Sequence, residues 1–194
     1  MTQKNIGNRK ALRSQKKISQ ALIDLMADRP YEEITISKLT DHAGLSRRTF
    51  YRNYTSKDDI INQYYHSIWE EYTEEVQKEE DTSLTNIALV FFNIIYKHRE
   101  LLSLFNQNNL FYLFLNQVSY LMIKDYPNRS TAFDSMDSAS LAYITLFISG
   151  GFFQMAKAWF DGGQKESPQE LADYLKDLEK IYYNVVNPKS WSVI

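Results

Sequence analysis

The chain contains no cysteine, which excludes disulfides, thiolate metal sites and a cysteine nucleophile, and makes a reducing compartment its easiest home. Its three histidines, His42, His66 and His98, lie far apart in the sequence, so no metal is expected. Glycine is scarce, and there is no Gly-rich phosphate loop, Ser/His/Asp constellation or nucleophile elbow. An enzyme is therefore not expected, and no catalytic residue or cofactor is assigned. No Gly/Pro/Ser-rich linker, internal repeat or alternating strand pattern occurs. The basic N-terminus MTQKNIGNRKALRSQKK is not followed by an apolar stretch of signal-peptide type, so a cytoplasmic location is expected. An uninterrupted apolar run is missing too. Residues 139–160 come nearest, but Ser140, Thr145, Ser149, Gln154 and Lys157 break the roughly 20 apolar residues a membrane span needs. A helix buried on two sides, and no membrane, is the expectation.

What is present is apolar content and an uneven distribution of charge. Of 194 residues, 44% are hydrophobic and 24% charged, enough apolar surface for a real core. Residues 1–62 carry 12 basic and 7 acidic side chains, and residues 63–194 carry 10 and 17, so a net charge of +5 is followed by one of -7. The first third is suited to an anionic partner.

Ile18, Ala21, Leu22, Leu25 and Met26 form the stripe of an amphipathic helix that Arg29-Pro30 stops. A second helix opens at Thr35 and turns Ile36, Leu39 and Ala43 inward before Gly44, which takes positive φ without steric cost. Leu45 packs inward, Ser46 caps a short helix reaching Tyr54, and Phe50 anchors it. Helix-turn-helix motifs share this layout. Arg47, Arg48, Thr49 and Arg52 are then left on the outside. Spacing alone also fits a solvated face; the turn glycine, the apolar anchors and the regional charge favour a DNA-reading face. Tyr51 is either a phosphate donor or a packing aromatic.

Ser56 with Asp59 predicts a capping box opening a helix over about 57–79 that bridges the basic third and the body. The body reads as further helices at about 83–97, 98–105, 108–126, 135–160 and 168–187, the last begun by Ser167-Pro168-Gln169-Glu170. In the 135–160 helix, Leu141, Ile144, Ile148, Gly151, Phe152, Met155 and Trp159 form one stripe, and Tyr143, Phe147, Gly150 and Phe153 leave the opposite side apolar too. Gly150-Gly151 is either a tolerated pair or the close approach of a partner helix. Tyr96, Asn109, Tyr112, Gln117, Tyr143 and Phe147 mix aromatic walls with amides, a composition that suits a ligand pocket as well as a core.

The segment ITISKLTDHAGLSRRTFYRNYTSKDDII, residues 34–61, resembles the TetR/AcrR family of bacterial transcriptional regulators. The matching pieces are Ile34-Thr35, Ala43-Gly44-Leu45-Ser46, Thr49-Phe50-Tyr51, and Lys57 with Asp58-Asp59. Asn53-Tyr54 stands where many members have His-Phe. The resemblance implies an all-α fold, with a three-helix helix-turn-helix DNA-binding head over residues 1–55 and a helical ligand-binding and dimerisation body over 56–194. It implies a homodimer on a palindromic double-stranded DNA operator, usually a repressor released by a small hydrophobic or aromatic effector. By position, Arg47, Arg48 and Thr49 resemble base-edge readers, and Thr35, Ser46, Tyr51 and Lys57 phosphate contacts. Lys38 and Arg52 complete the expected DNA face, and Lys10, Arg13, Lys16 and Lys17 add backbone attraction from the first helix. Gly150, Gly151, Phe152, Met155 and Trp159, with Leu171, Leu175, Leu178 and Tyr182 of the last helix, are the expected dimer interface. A second reading keeps the fold but gives the body a protein partner in place of a metabolite, as in a co-activator.

Overall fold

The computed structural model describes residues 3–81, 83–125 and 137–186, and the side chains of these except at 3–8, 122–125 and 178–186. Among the described residues there are nine α-helices and no strand. The head holds α1 (Gln3–Asp28), a 3-10 turn (Tyr31–Glu33), α2 (Ile36–Ala43) and α3 (Arg47–Asn53). The body follows as α4 (Lys57–Val76), α5 (Leu84–Lys97), α6 (Arg99–Gln107), α7 (Phe111–Asp125), α8 (Ser138–Asp161) and α9 (Pro168–Val186).

Capping chemistry sets several of these boundaries. Ser56 accepts from the Asp59 amide while the Asp59 carboxylate accepts from the amides of Thr55, at 2.6 Å, and Ser56, at 3.2 Å, so orphan donors at the start of α4 are satisfied reciprocally. Ser167 and Glu170 do the same for α9, at 3.3 and 2.8 Å. The first helix differs from expectation: its apolar stripe begins at Ile18, yet it starts at Gln3.

The head packs α1 on α2 and α3; in the body α4 packs on α5 and α7, α5 on α9, and α7 on α8. Tyr65 of α4 is fully buried, its ring 5.4 Å from Phe105 and 5.1 Å from Phe114, and its hydroxyl donates to the Leu110 carbonyl at 3.3 Å. Head and body meet at a polar junction. The buried Asn108, between α6 and α7, accepts through Oδ1 from the Tyr31 amide at 2.8 Å and donates through Nδ2 to the Leu104 carbonyl at 2.9 Å. The Tyr31 hydroxyl in turn donates to Asp58; burial, then that carboxylate, pushes its pKa well up.

By length and composition α8 would cross a bilayer. It instead lies on α7 with Thr145 and Ser149 buried, and the Ser149 and Ser119 hydroxyls meet at 3.0 Å across that contact.

Two consequences are measurable. Replacing Ser56 with Ala should cost about 1 kcal/mol and lower the thermal midpoint by about 2–4 °C. The Asp59 carboxyl is held below its ordinary range chiefly by the Thr55 hydroxyl, so its contribution is full above pH about 4 and vanishes as pH falls through the depressed folded value. Denaturant titrations at pH 7 and pH 3 should therefore show Asp59→Asn most destabilising at the higher pH; equal losses at both would refute this. Asn108→Leu should strand the Tyr31 amide and cost about 1–3 kcal/mol by the same titration.

Candidate nucleic-acid interface

The turn that presents α3 is built by backbone geometry. Gly44 sits at φ 63° and ψ 39°, its amide bonding the Asp41 carbonyl at 3.1 Å while the Leu45 amide reaches the Thr40 carbonyl at 2.9 Å. These are the two bonds of a Schellman turn, which needs a left-handed residue here. Thr35 caps α2 through the Lys38 amide and Ser46 caps α3 through the Thr49 amide, both at 3.2 Å.

Phe50 is the only fully buried side chain of α3. Its ring lies 5.7 Å from that of buried Tyr54, and Tyr51 meets its edge at 5.3 Å while remaining 60% exposed. Two of the local aromatics therefore pin the helix and one faces outward. Arg48 and Arg52 are exposed beside Tyr51 at i, i+3, i+4 spacing, which places all three on one face.

The other expected contact residues are partly engaged within the head. Arg47 donates to the Ser37 hydroxyl, and Lys38 to the Glu33 carbonyl at 3.2 Å. The Thr49 and Ser46 hydroxyls lie 3.0 Å apart. Lys57 donates to the Tyr31 carbonyl at 2.7 Å with its ammonium 4.1 Å from the centre of the Tyr31 ring, and burial holds its pKa below the usual range. An ammonium has three donors, so further N–H groups remain on Lys57. Among the described residues no carboxylate pairs with Arg47, Arg48 or Arg52.

In the body, the expected pocket residues do not converge. The Tyr96 ring is tilted against that of Trp159 at 6.2 Å, with the Arg99 guanidinium 4.3 Å over it. Asn109 occupies the α6–α7 turn at φ 56°, Tyr112 is exposed on α7, and Gln117 is half-buried. Tyr143 and Phe147 stand out from α8, 75% and 83% exposed. Between α4, α5 and α7 the space is filled by rings, including those of Trp69, Tyr72, Phe91 and Phe114, around a void of about 10 Å³. The larger concavity, about 500 Å³, is an apolar groove lined by residues such as Leu115, Leu146, Phe147, Gly151, Gln154 and Leu175. Of the six expected pocket residues, Phe147 alone is among its lining.

The expected dimer residues are placed in different settings. Gly150 and Gly151 line the groove, and a methyl group added at either would meet nothing within 4 Å. Phe152 and Met155 are half-buried, with the Phe152 ring 5.0 Å from Phe91. Trp159, Leu171 and Leu175 are buried within the subunit, and the Trp159 indole donates to the Glu166 carbonyl at 2.9 Å. The Leu178 and Tyr182 side chains lie outside those described. Leu146, exposed beside Phe147, and the Asn108–Tyr31 link were not anticipated; consecutive asparagines between two helical patterns were the available turn signal for the link.

Residues 18–64 match the family model described as "Bacterial regulatory proteins, tetR family", and residues 82–181 match that of "Transcriptional regulator C-terminal region". Two solved structures share the fold. One is the "Dihydroxyacetone kinase operon activator DhaS", 19% identical with a TM-score of 0.50, the match covering 85% of this chain and 93% of that one. The other is the "fatty acid degradation regulator FadR from Bacillus halodurans", 17% identical with a TM-score of 0.50, covering 84% and 93%. No curated protein matches the chain in sequence. With a helix-turn-helix head and family matches over both head and body, the chain belongs to the TetR family of bacterial transcriptional regulators.

Proposed function

We propose that the chain is a homodimeric, cytoplasmic, sequence-specific DNA-binding regulator without enzymatic activity, a repressor released from a palindromic operator by a small molecule. Residues 1–55 would bind DNA; residues 56–194 would dimerise and sense. The observation that carries the DNA half is the cationic face of α3, exposed, free of carboxylates and held by buried Phe50. Arg48 and Arg52 suit the guanine O6 and N7 acceptors of the major groove, and Tyr51, Thr35, Ser46, Lys38 and Lys57 suit phosphates. Arg47 and Thr49 join the base-reading set once Arg47 leaves Ser37.

A second copy laid along α8 would cover Tyr143, Leu146, Phe147, Gly150 and Gly151. The glycines support this because packing inside the subunit makes no demand for them, whereas a crossing helix does. An effector entering the body between α4 and α7 must displace rings from a void of about 10 Å³, so binding there would favour a different body conformation. Such a change would alter the head spacing, which must match major grooves about 34 Å apart. The same filled centre favours a second reading, in which the body answers to a protein partner and the effector is absent.

Binding-site selection from random duplexes should recover a palindrome, and anisotropy titrations on it should weaken steeply with salt; a flat salt response rules the operator reading out. Arg48→Ala should cost about 1–3 kcal/mol and relax one base position, whereas Lys57→Ala should weaken all duplexes alike. Gly151→Arg should turn the dimer into a monomer in analytical ultracentrifugation, and an unchanged dimer would place the interface elsewhere. Native mass spectrometry separates the two sensing readings, through a retained small molecule or a co-purified protein.

A further inference from the structure

Pro30 opens the 3-10 turn without a side-chain cap, and the Tyr31 amide is satisfied from the body instead. The buried Asn108 accepts from it at 2.8 Å and is itself steadied on the Leu104 carbonyl at 2.9 Å. The turn that carries Asn108 is fixed in its own right. The Leu110 amide bonds the Phe105 carbonyl at 2.9 Å, and the Leu110 carbonyl accepts from the buried Tyr65 hydroxyl at 3.3 Å. Tyr31 belongs to the head, yet its place is set by the body.

Three groups of Tyr31 act on the start of α4. Its carbonyl accepts from the Ile34 amide at 3.1 Å and from the Lys57 ammonium at 2.7 Å, which uses both lone pairs. Its ring centre lies 4.1 Å from the same ammonium, within reach of a cation–π attraction. Its hydroxyl donates to the Asp58 carboxylate. Burial lowers the Lys57 pKa while the nearby Asp58 and Glu32 act against it. Even so, among the described residues no carboxylate forms an ion pair with Lys57. One residue thus holds two neighbouring opposite charges at separate points.

A lysine on a flexible stem loses rotamer freedom and hydration when it takes up an anion. On Lys57 part of both losses has already occurred, and with one N–H on the Tyr31 carbonyl two others remain for an anion. We propose that Tyr31, seated by Asn108, is the positioning residue for Lys57, keeping its ammonium off Asp58 and ready for a phosphate of the duplex. This rests on the operator reading above and adds to it a buried body residue on which DNA affinity depends.

Operator affinity should be measured by anisotropy on the full-length chain and its variants, at a temperature where circular dichroism shows each of them folded. Tyr31→Leu and Asn108→Ala should each weaken binding about threefold to tenfold, the ordering cost of one released side chain. In a Lys57→Ala chain neither should weaken it further. Tyr31→Phe, the milder change, keeps the ring and backbone and frees Asp58 to pair with Lys57. It should weaken binding in the wild-type chain and leave it unchanged in an Asp58→Asn chain. Losses of equal size with and without Lys57 would make Tyr31 and Asn108 structural only, and tighter binding by Tyr31→Leu would mean that Tyr31 withholds the ammonium; either result overturns the proposal. So would a Tyr31→Phe chain that binds like wild type, or one that loses as much beside Asp58→Asn. If Lys57→Ala alone leaves binding unchanged, the proposal fails while the operator reading stands. A wild-type chain that selects no duplex removes both.

Discussion

A seven-residue helix carrying three arginines has no stability of its own, because the entropy of its first turn is not recovered over so short a length. It persists here because Phe50 is removed from water completely and the chain reaches it through a turn that only a left-handed residue closes easily. With the ring buried, rotation of α3 about its axis is fixed, and so is the direction of Arg48, Tyr51 and Arg52. Taking the ring out of the core would leave the same charges on the chain without a surface to hold them.

The body applies the same principle at larger scale. Tyr65, Phe91, Phe105, Phe111 and Phe114 pack edge-on, tilted and offset-stacked at centroid distances of 5.1–6.3 Å, arrangements that suit ring quadrupoles and leave little void. The outer helices are then placed by their own neighbours, α8 on α7 and α9 on α5, leaving an apolar groove lined by α8 and by Leu175 of α9. The head is fastened to this framework by directional bonds. Asn108 holds the Tyr31 amide, Tyr31 holds Asp58, and Lys57 holds the Tyr31 carbonyl, so a shift of the α6–α7 turn reaches the start of α4 and the 3-10 turn together.

Much of the head was legible because its signals are local. The caps at Thr35, Ser46 and Ser56 and the glycine at position 44 each act within four residues, and the structure places each cap bond and the left-handed turn at those positions. The start of α1 was not legible, since residues 3–17 lack an apolar stripe and owe their helix to the packed half behind them. The pocket was the least legible feature. Tyr143 and Phe147 have the composition of a cavity wall, but α8 buries Thr145, Ser149, Phe153, Ala156 and Phe160 against its neighbours and turns those two outward. A helix apolar on every side gives no indication of which side a given neighbour will take.

The amino-acid order by itself determined the helical class, the position of the turn, the anchor ring, the concentration of positive charge in the first third and the family resemblance, because each depends on residues close together along the chain. Tertiary structure alone decided that Arg47 and Lys57 are tethered while Arg48 and Arg52 stand free, that Asn108 joins body to head, and that Trp159, Leu171 and Leu175 are buried within the subunit. Those outcomes depend on which surfaces meet across large sequence separations, and that is set by the shapes of the packed helices and not by the pattern on any one of them.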